Sequence, residues 1–158
     1  ARHPILRFDA NSSSEYCQQQ QQLPAAESQK MNWYQHSMNP EAVLSLYPSA
    51  PALRTMLVLR TTLTEDGPSL MIEANLDRFP ERVPLRWAPS FSVAQAKISF
   101  WGVRDLSIVG WTTTNRLAFD LEKKNGSFAF RLHSEATRIS GTCDFFRIDG
   151  FSGYAEES

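Results

Sequence analysis

The sequence predicts a mainly β (α+β) fold: an antiparallel two-layer β-sheet or sandwich of about seven strands with one short N-terminal helix. Three observations carry this expectation. From Leu53 onward the apolar residues recur largely with period two, the runs are short and separated by Gly, Pro, Asn or Asp turns, and a single stretch carries a helix start signal.

The elements follow in chain order. Residues 1–30 hold Asn11-Ser12-Ser13-Ser14, the run Gln18 to Gln22 and Leu23-Pro24 without helical or strand periodicity, so they are expected to form a disordered tail or upstream extension. Residues 31–158 form the single expected domain. Met31 reads as a possible natural start, and a polar leader has the same composition. In Asn39-Pro40-Glu41, Asn suits a helix cap, Pro the first helical position and Glu the positive end of the dipole. Pro48 and Pro51 end this helix, whose expected buried stripe is Val43, Leu44 and Leu46.

Leu53 to Thr64 is the first strand, with Leu57, Leu59 and Leu63 on one face and Met56 and Val58 on the other, both partly covered. Glu65-Asp66-Gly67-Pro68 turns the chain, and Leu70, Ile72, Ala74 and Leu76 line one face of the return. Pro80, Pro84 and Pro89 exclude a central strand over Asp77 to Ser90, which becomes a long ordered loop pinned by Phe79, Val83, Leu85 and Trp87. Val93 to Trp101 is the next strand, with Ala94, Ala96, Ile98 and Phe100 inward; Gly102 marks a bend, and Leu106 to Trp111 follows. Lys124-Asn125-Gly126 sits between two alternating runs and predicts a two-residue hairpin turn. Its register sets Lys124 opposite Ser127, Leu121 opposite Phe130, Phe119 opposite Leu132 and Asp120 opposite Arg131. The last strand spans about Arg138 to Ile148.

Composition narrows the function. A net charge of −1 over 158 residues excludes nucleic-acid binding driven by bulk positive charge, and neither a membrane-length apolar run nor a signal-peptide core is present. Cys17 and Cys143 lack any CxxC or metal-ligand spacing and read as free thiols in a reducing cytoplasm. Gly-rich phosphate loops, HExxH and GxSxG are absent, so no enzyme activity, cofactor or metal is expected. His133 beside Glu135 reads as a surface histidine near a turn rather than an acid/base pair, and His36 has no partner in sequence reach. Asp120, Glu122, Asp144 and Asp149 lack the spacing of a calcium loop. The sequons at Asn11 and Asn125 carry no weight without export. Trp87, Trp101 and Trp111 allow an alternative, a carbohydrate or small-ligand binding domain with exposed rings, although aromatics on half-buried strands more often pack.

One run exceeds generic strand patterning: Ile98-Ser99-Phe100-Trp101-Gly102-Val103-Arg104-Asp105-Leu106-Ser107-Ile108-Val109-Gly110-Trp111. With Trp33-Tyr34, Asn39-Pro40-Glu41 and the closing Cys143 to Asp149 before Tyr154, it resembles bacterial proteins of the Immunity protein 50 family over about Met31 to Tyr154. The resemblance implies a small non-enzymatic cytosolic protein of a polymorphic toxin system that binds a cognate toxin domain. In this motif Trp101, Gly102, Asp105, Gly110 and Trp111 are read as mainly structural, the glycines for bends and the tryptophans as core anchors. Contacts with the toxin are expected on exposed loops, from Arg82, Arg86, Trp87 and Phe91 in the Pro-rich loop and from the acidic turn Glu65-Asp66.

Overall fold

The structure, a computed structural model, describes residues 33–156. The expected tail over 1–30, with Cys17 and the Asn11 sequon, lies outside the described residues. A 3-10 turn over Trp33–His36 leads to one α-helical turn, α1 (Glu41–Leu44). Eight strands follow: β1 (Met56–Thr64), β2 (Ser69–Asn75), β3 (Val93–Trp101), β4 (Arg104–Val109), β5 (Asn115–Lys124), β6 (Ser127–His133), β7 (Arg138–Cys143) and β8 (Phe145–Tyr154). All pair antiparallel, in the order β4-β7-β6-β5-β1-β2-β3-β8.

This ladder doubles over into two layers. Only Met56 to Val58 of β1 pair with β5, so the sheet creases there. The β1-β2-β3-β8 half then lies on the β5-β6-β7-β4 half, with Phe100 of β3 stacked on Phe130 of β6 at 4.4 Å and Phe119 of β5 edge-on to Phe146 of β8. Met56, Val58, Leu70, Ile72, Ala96, Ile98, Leu117, Leu132, Ile139 and Ile148 complete the buried interior.

The strand expected over Arg138 to Ile148 is two strands. At Asp144 the chain passes from β7 in one layer to β8 in the other, while Gly102-Val103 carries β3 into β4 alongside it; Asp144 N–H donates to the Trp101 carbonyl at 2.8 Å. The paired ribbon therefore turns a corner as a unit. Gly102 has φ +68°, and a Cβ there would sit 2.2 Å from Asp144 Oδ2. Arg104 locks the corner, its Nη1 lying 2.8 Å from both the Gly102 carbonyl and Asp144 Oδ1.

The hairpin has the expected register, with Lys124 opposite Ser127, Leu121 opposite Phe130, Phe119 opposite Leu132 and Asp120 opposite Arg131. Asn125 and Gly126 both take positive φ, as a two-residue turn between right-twisted strands requires. Four details of the sequence reading are corrected. Asn39 makes no side-chain cap: its amide donates to the Ile148 carbonyl at 2.7 Å and accepts from Ile148 N–H at 2.9 Å, covering the outer edge of β8. Leu44 faces solvent, so the helical stripe is Val43 and Leu46. Leu59 and Leu63 are exposed, because β1 bulges between Val58 and Arg60 and its far half projects past the crease. Trp111 lies beyond the end of β4, exposed at 43%, and is no core anchor.

Candidate functional site

The Pro-rich loop is built from the inside out. Trp87 is buried at 7%, between Phe79 at 5.8 Å and Phe91 at 6.1 Å, and it packs so closely on Gly153 of β8 that a Cβ there would come within 2.6 Å of the ring. Trp87 is thus a core side chain rather than an exposed contact, and Phe91 is half-buried beside it. Both are positioning residues for the loop. The Tyr47 hydroxyl donates to the Arg78 carbonyl at 2.6 Å. Burial pushes this phenol well above the usual tyrosine range, so it remains a neutral donor. Arg82 N–H donates to the Leu46 carbonyl at 3.0 Å, and the Trp87 and Phe91 amides close turns onto Pro84 and Ala88.

On this base the loop presents a different set of side chains to solvent. Leu85 is fully exposed at 104% and Val83 is exposed beside it, while the Leu44 carbonyl of α1 accepts from Arg82 Nη1 at 3.3 Å. Arg82 and Arg86 are exposed as expected. A cleft of about 490 Å³ runs between α1, the loop and β8, lined among others by Leu46, Arg82, Leu85, Arg86 and Phe151. Leu85 and Val83, expected among the pinning residues, face solvent instead; both share the period-two phase of buried Trp87, so no local pattern separates them from it.

The acidic turn lies elsewhere. Glu65 and Asp66 are exposed in the β1–β2 turn, where a Cβ on Gly67 would stand 3.2 Å from the Trp101 ring and Glu65 borders a recess with Leu63, Val103 and Leu106. The Pro-rich loop follows the opposite end of β2, so the two expected contact groups are separated by a strand length, on the order of 20 Å at about 3.3 Å per residue. They do not form one surface.

The motif residues have local tasks. Trp101 stacks in parallel with Phe145 and donates to Ser99 Oγ at 3.0 Å. Asp105 occupies the β4 bulge with φ 54°. Gly110, φ +76°, lies so close to Ala136 that a Cβ would stand 2.0 Å from its carbonyl oxygen, and the Gly110 carbonyl accepts from Thr137 Oγ1 at 2.7 Å. Trp87, Trp101 and Trp111 do not line a common groove. Of the carboxylates, Asp120 and Glu122 share the outer face of β5, Asp144 pairs with Arg104, and Asp149 bonds Ser99 and Arg147. Among the described residues no three His, Cys, Asp or Glu side chains gather as a metal site.

Another cleft, of about 600 Å³, lies on the outer face of the second layer, over Asp105, Asp120, Glu122, Arg131, Ser140 and Thr142. At its edge Asp120 meets His133 at 2.6 Å, a partner other than the Glu135 that the sequence sets beside this histidine, with Arg131 at 3.6 Å on the same carboxylate. The predicted hairpin register already contains this pair as a cross-strand diagonal.

A model of the family described as Immunity protein 50 matches residues 39–154. The chain belongs to the Immunity protein 50 family. Neither a curated protein nor a solved structure matches it. The match starts at Asn39, the residue clamped to β8, and ends at Tyr154 at the end of that strand, so its limits coincide with the two-layer body. For a member of the Immunity protein 50 family the relevant property is a surface that another protein can occupy. The rigid loop with exposed Leu85, Arg82 and Arg86 has the composition of such a surface: an apolar centre with arginine at its margin.

Proposed function

We propose that this protein is the immunity component of a bacterial polymorphic toxin system, binding a cognate toxin domain in the cytosol of the producing cell and blocking it by contact, without chemistry or cofactor. Family membership over residues 39–154 carries the reading. The placement of the aromatic rings supports it against the ligand-binding alternative. A sugar site needs rings lining an open groove, whereas Trp33 and Trp87 are buried and Trp101 lies stacked on Phe145. The exposed apolar and arginine side chains instead sit on a loop whose backbone is fixed from beneath, which lowers the ordering cost of binding.

Co-expression with toxin domains encoded beside the gene is the direct test. The expected outcome is restored growth of a toxin-expressing host and a stable complex on size-exclusion chromatography. Failure to rescue growth or form a complex with any adjacent toxin, or turnover of a substrate by the isolated protein, refutes the proposal.

A further inference from the structure

We infer that the toxin surface gripped by the Pro-rich loop is acidic and contains an apolar recess that receives Leu85. This inference rests on the immunity reading. It begins with the loop's own charges. Asp77 accepts from Thr55 Oγ1 at 2.6 Å and Glu81 is paired with Arg78, so both carboxylates of the segment are engaged within the protein. Arg82 reaches only a backbone carbonyl, that of Leu44 at 3.3 Å, and Arg86 has no ion pair or hydrogen bond among the described residues. Two guanidinium groups thus flank Leu85 without a carboxylate of their own.

Leu85 gains nothing in folding, since it is fully exposed. It is nevertheless held firmly, between Pro84 and the turn closed by Trp87 N–H, with Trp87 buried two residues on. A rigidly presented leucine beside Val83 gives an apolar knob, and the charges at its edge select what surrounds the matching hole. Guanidinium groups bind planar carboxylates by paired hydrogen bonds, so a rim of Asp and Glu complements this patch and a rim of Lys and Arg opposes it. A nucleic-acid backbone is the poorer fit: two arginines neutralise few phosphates, and a fully exposed leucine at their centre has no apolar counterpart on a phosphate backbone.

The experiment measures binding of the full chain to the purified toxin domain by surface plasmon resonance over a salt series. The variants are Leu85→Ala, the double Arg82→Glu/Arg86→Glu and, as a control distant from the loop, Lys123→Glu. Leu85→Ala is expected to weaken the complex about 30-fold or more, as an anchor does. The double charge reversal is expected to weaken it on the order of 100-fold, slow association about tenfold and flatten the salt dependence, with Lys123→Glu unchanged. A Glu-to-Lys change on the toxin rim that restores binding to the double variant identifies the carboxylate partner. Leu85 and both arginines are exposed, so unchanged circular dichroism and melting temperature verify that the variants fold. Loop variants that bind a toxin within twofold of the wild type overturn this inference and leave the immunity reading standing. Tighter binding after charge reversal, or binding of a duplex oligonucleotide at 150 mM salt through Arg82 and Arg86, also overturns it. A wild-type protein that binds no adjacent toxin removes both.

Discussion

Asn39 precedes a proline and a glutamate, the order of a helix start, yet its side chain bonds to β8 because that strand ends the sheet and exposes an unpaired N–H and C=O at Ile148. One amide satisfies both, and Met38 N–H adds a bond to the Phe146 carbonyl at 2.9 Å. Asn39→Ala removes two partly buried hydrogen bonds and is expected to cost about 2 kcal/mol, read from the urea midpoint at unchanged m-value. Cys143 offers a second test. It is fully buried, and desolvation, reinforced by Asp144 and opposed by Arg104, pushes its thiol up to about 12. Folding therefore favours the protonated thiol. Its contribution to stability is intact below the unfolded value near 9 and lost as pH rises toward 12, at about 1.4 kcal/mol per pH unit. A Cys143→Ala variant, assayed by urea unfolding from pH 8 to 11, should lose less stability over that range than the wild type. In a Cys17→Ser background, iodoacetamide should label native Cys143 at pH 8 only at the rate of unfolding.

At the scale of elements, the Pro-rich loop separates holding from presenting. Trp87→Ala empties the space between Phe79, Phe91 and Gly153 and is expected to lower stability by about 3–5 kcal/mol. Leu85→Ala should change stability by less than about 0.5 kcal/mol. Thermal denaturation of the two variants side by side checks this contrast, and equal losses would contradict the loop architecture. The same loop marks the limit of what the sequence reveals. Its irregular backbone is legible from three prolines, because a missing N–H is a local property. Which of its aromatic and aliphatic side chains turns inward depends on Gly153 and Phe91, brought together by the pairing of β3 with β8, and no local pattern encodes that. The β5–β6 hairpin is the opposite case, since Asn125-Gly126 fixes the turn and the turn fixes every cross-strand pair. Arg82 and Arg86 were readable as exposed loop charges for the same local reason, whereas Leu85 required knowing that Trp87 had taken the buried position.

At the scale of the whole molecule, the period-two pattern gives two layers and Gly102 marks one bend, but the crossing at Asp144 is concealed because Arg138 to Ile148 reads as one continuous run. That corner decides how the protein comes apart. Each layer borrows one end of the same two-stranded ribbon, so neither half owns a complete set of strands and neither can melt while the other persists. The molecule is therefore expected to unfold as one cooperative unit. Amide hydrogen exchange at Ile72 in one layer and Leu132 in the other should report a single opening free energy, and two distinct values would show that the halves separate. A partner that grips only the loop beside β8 then protects distant β6 equally, since any opening of β6 must first release the partner.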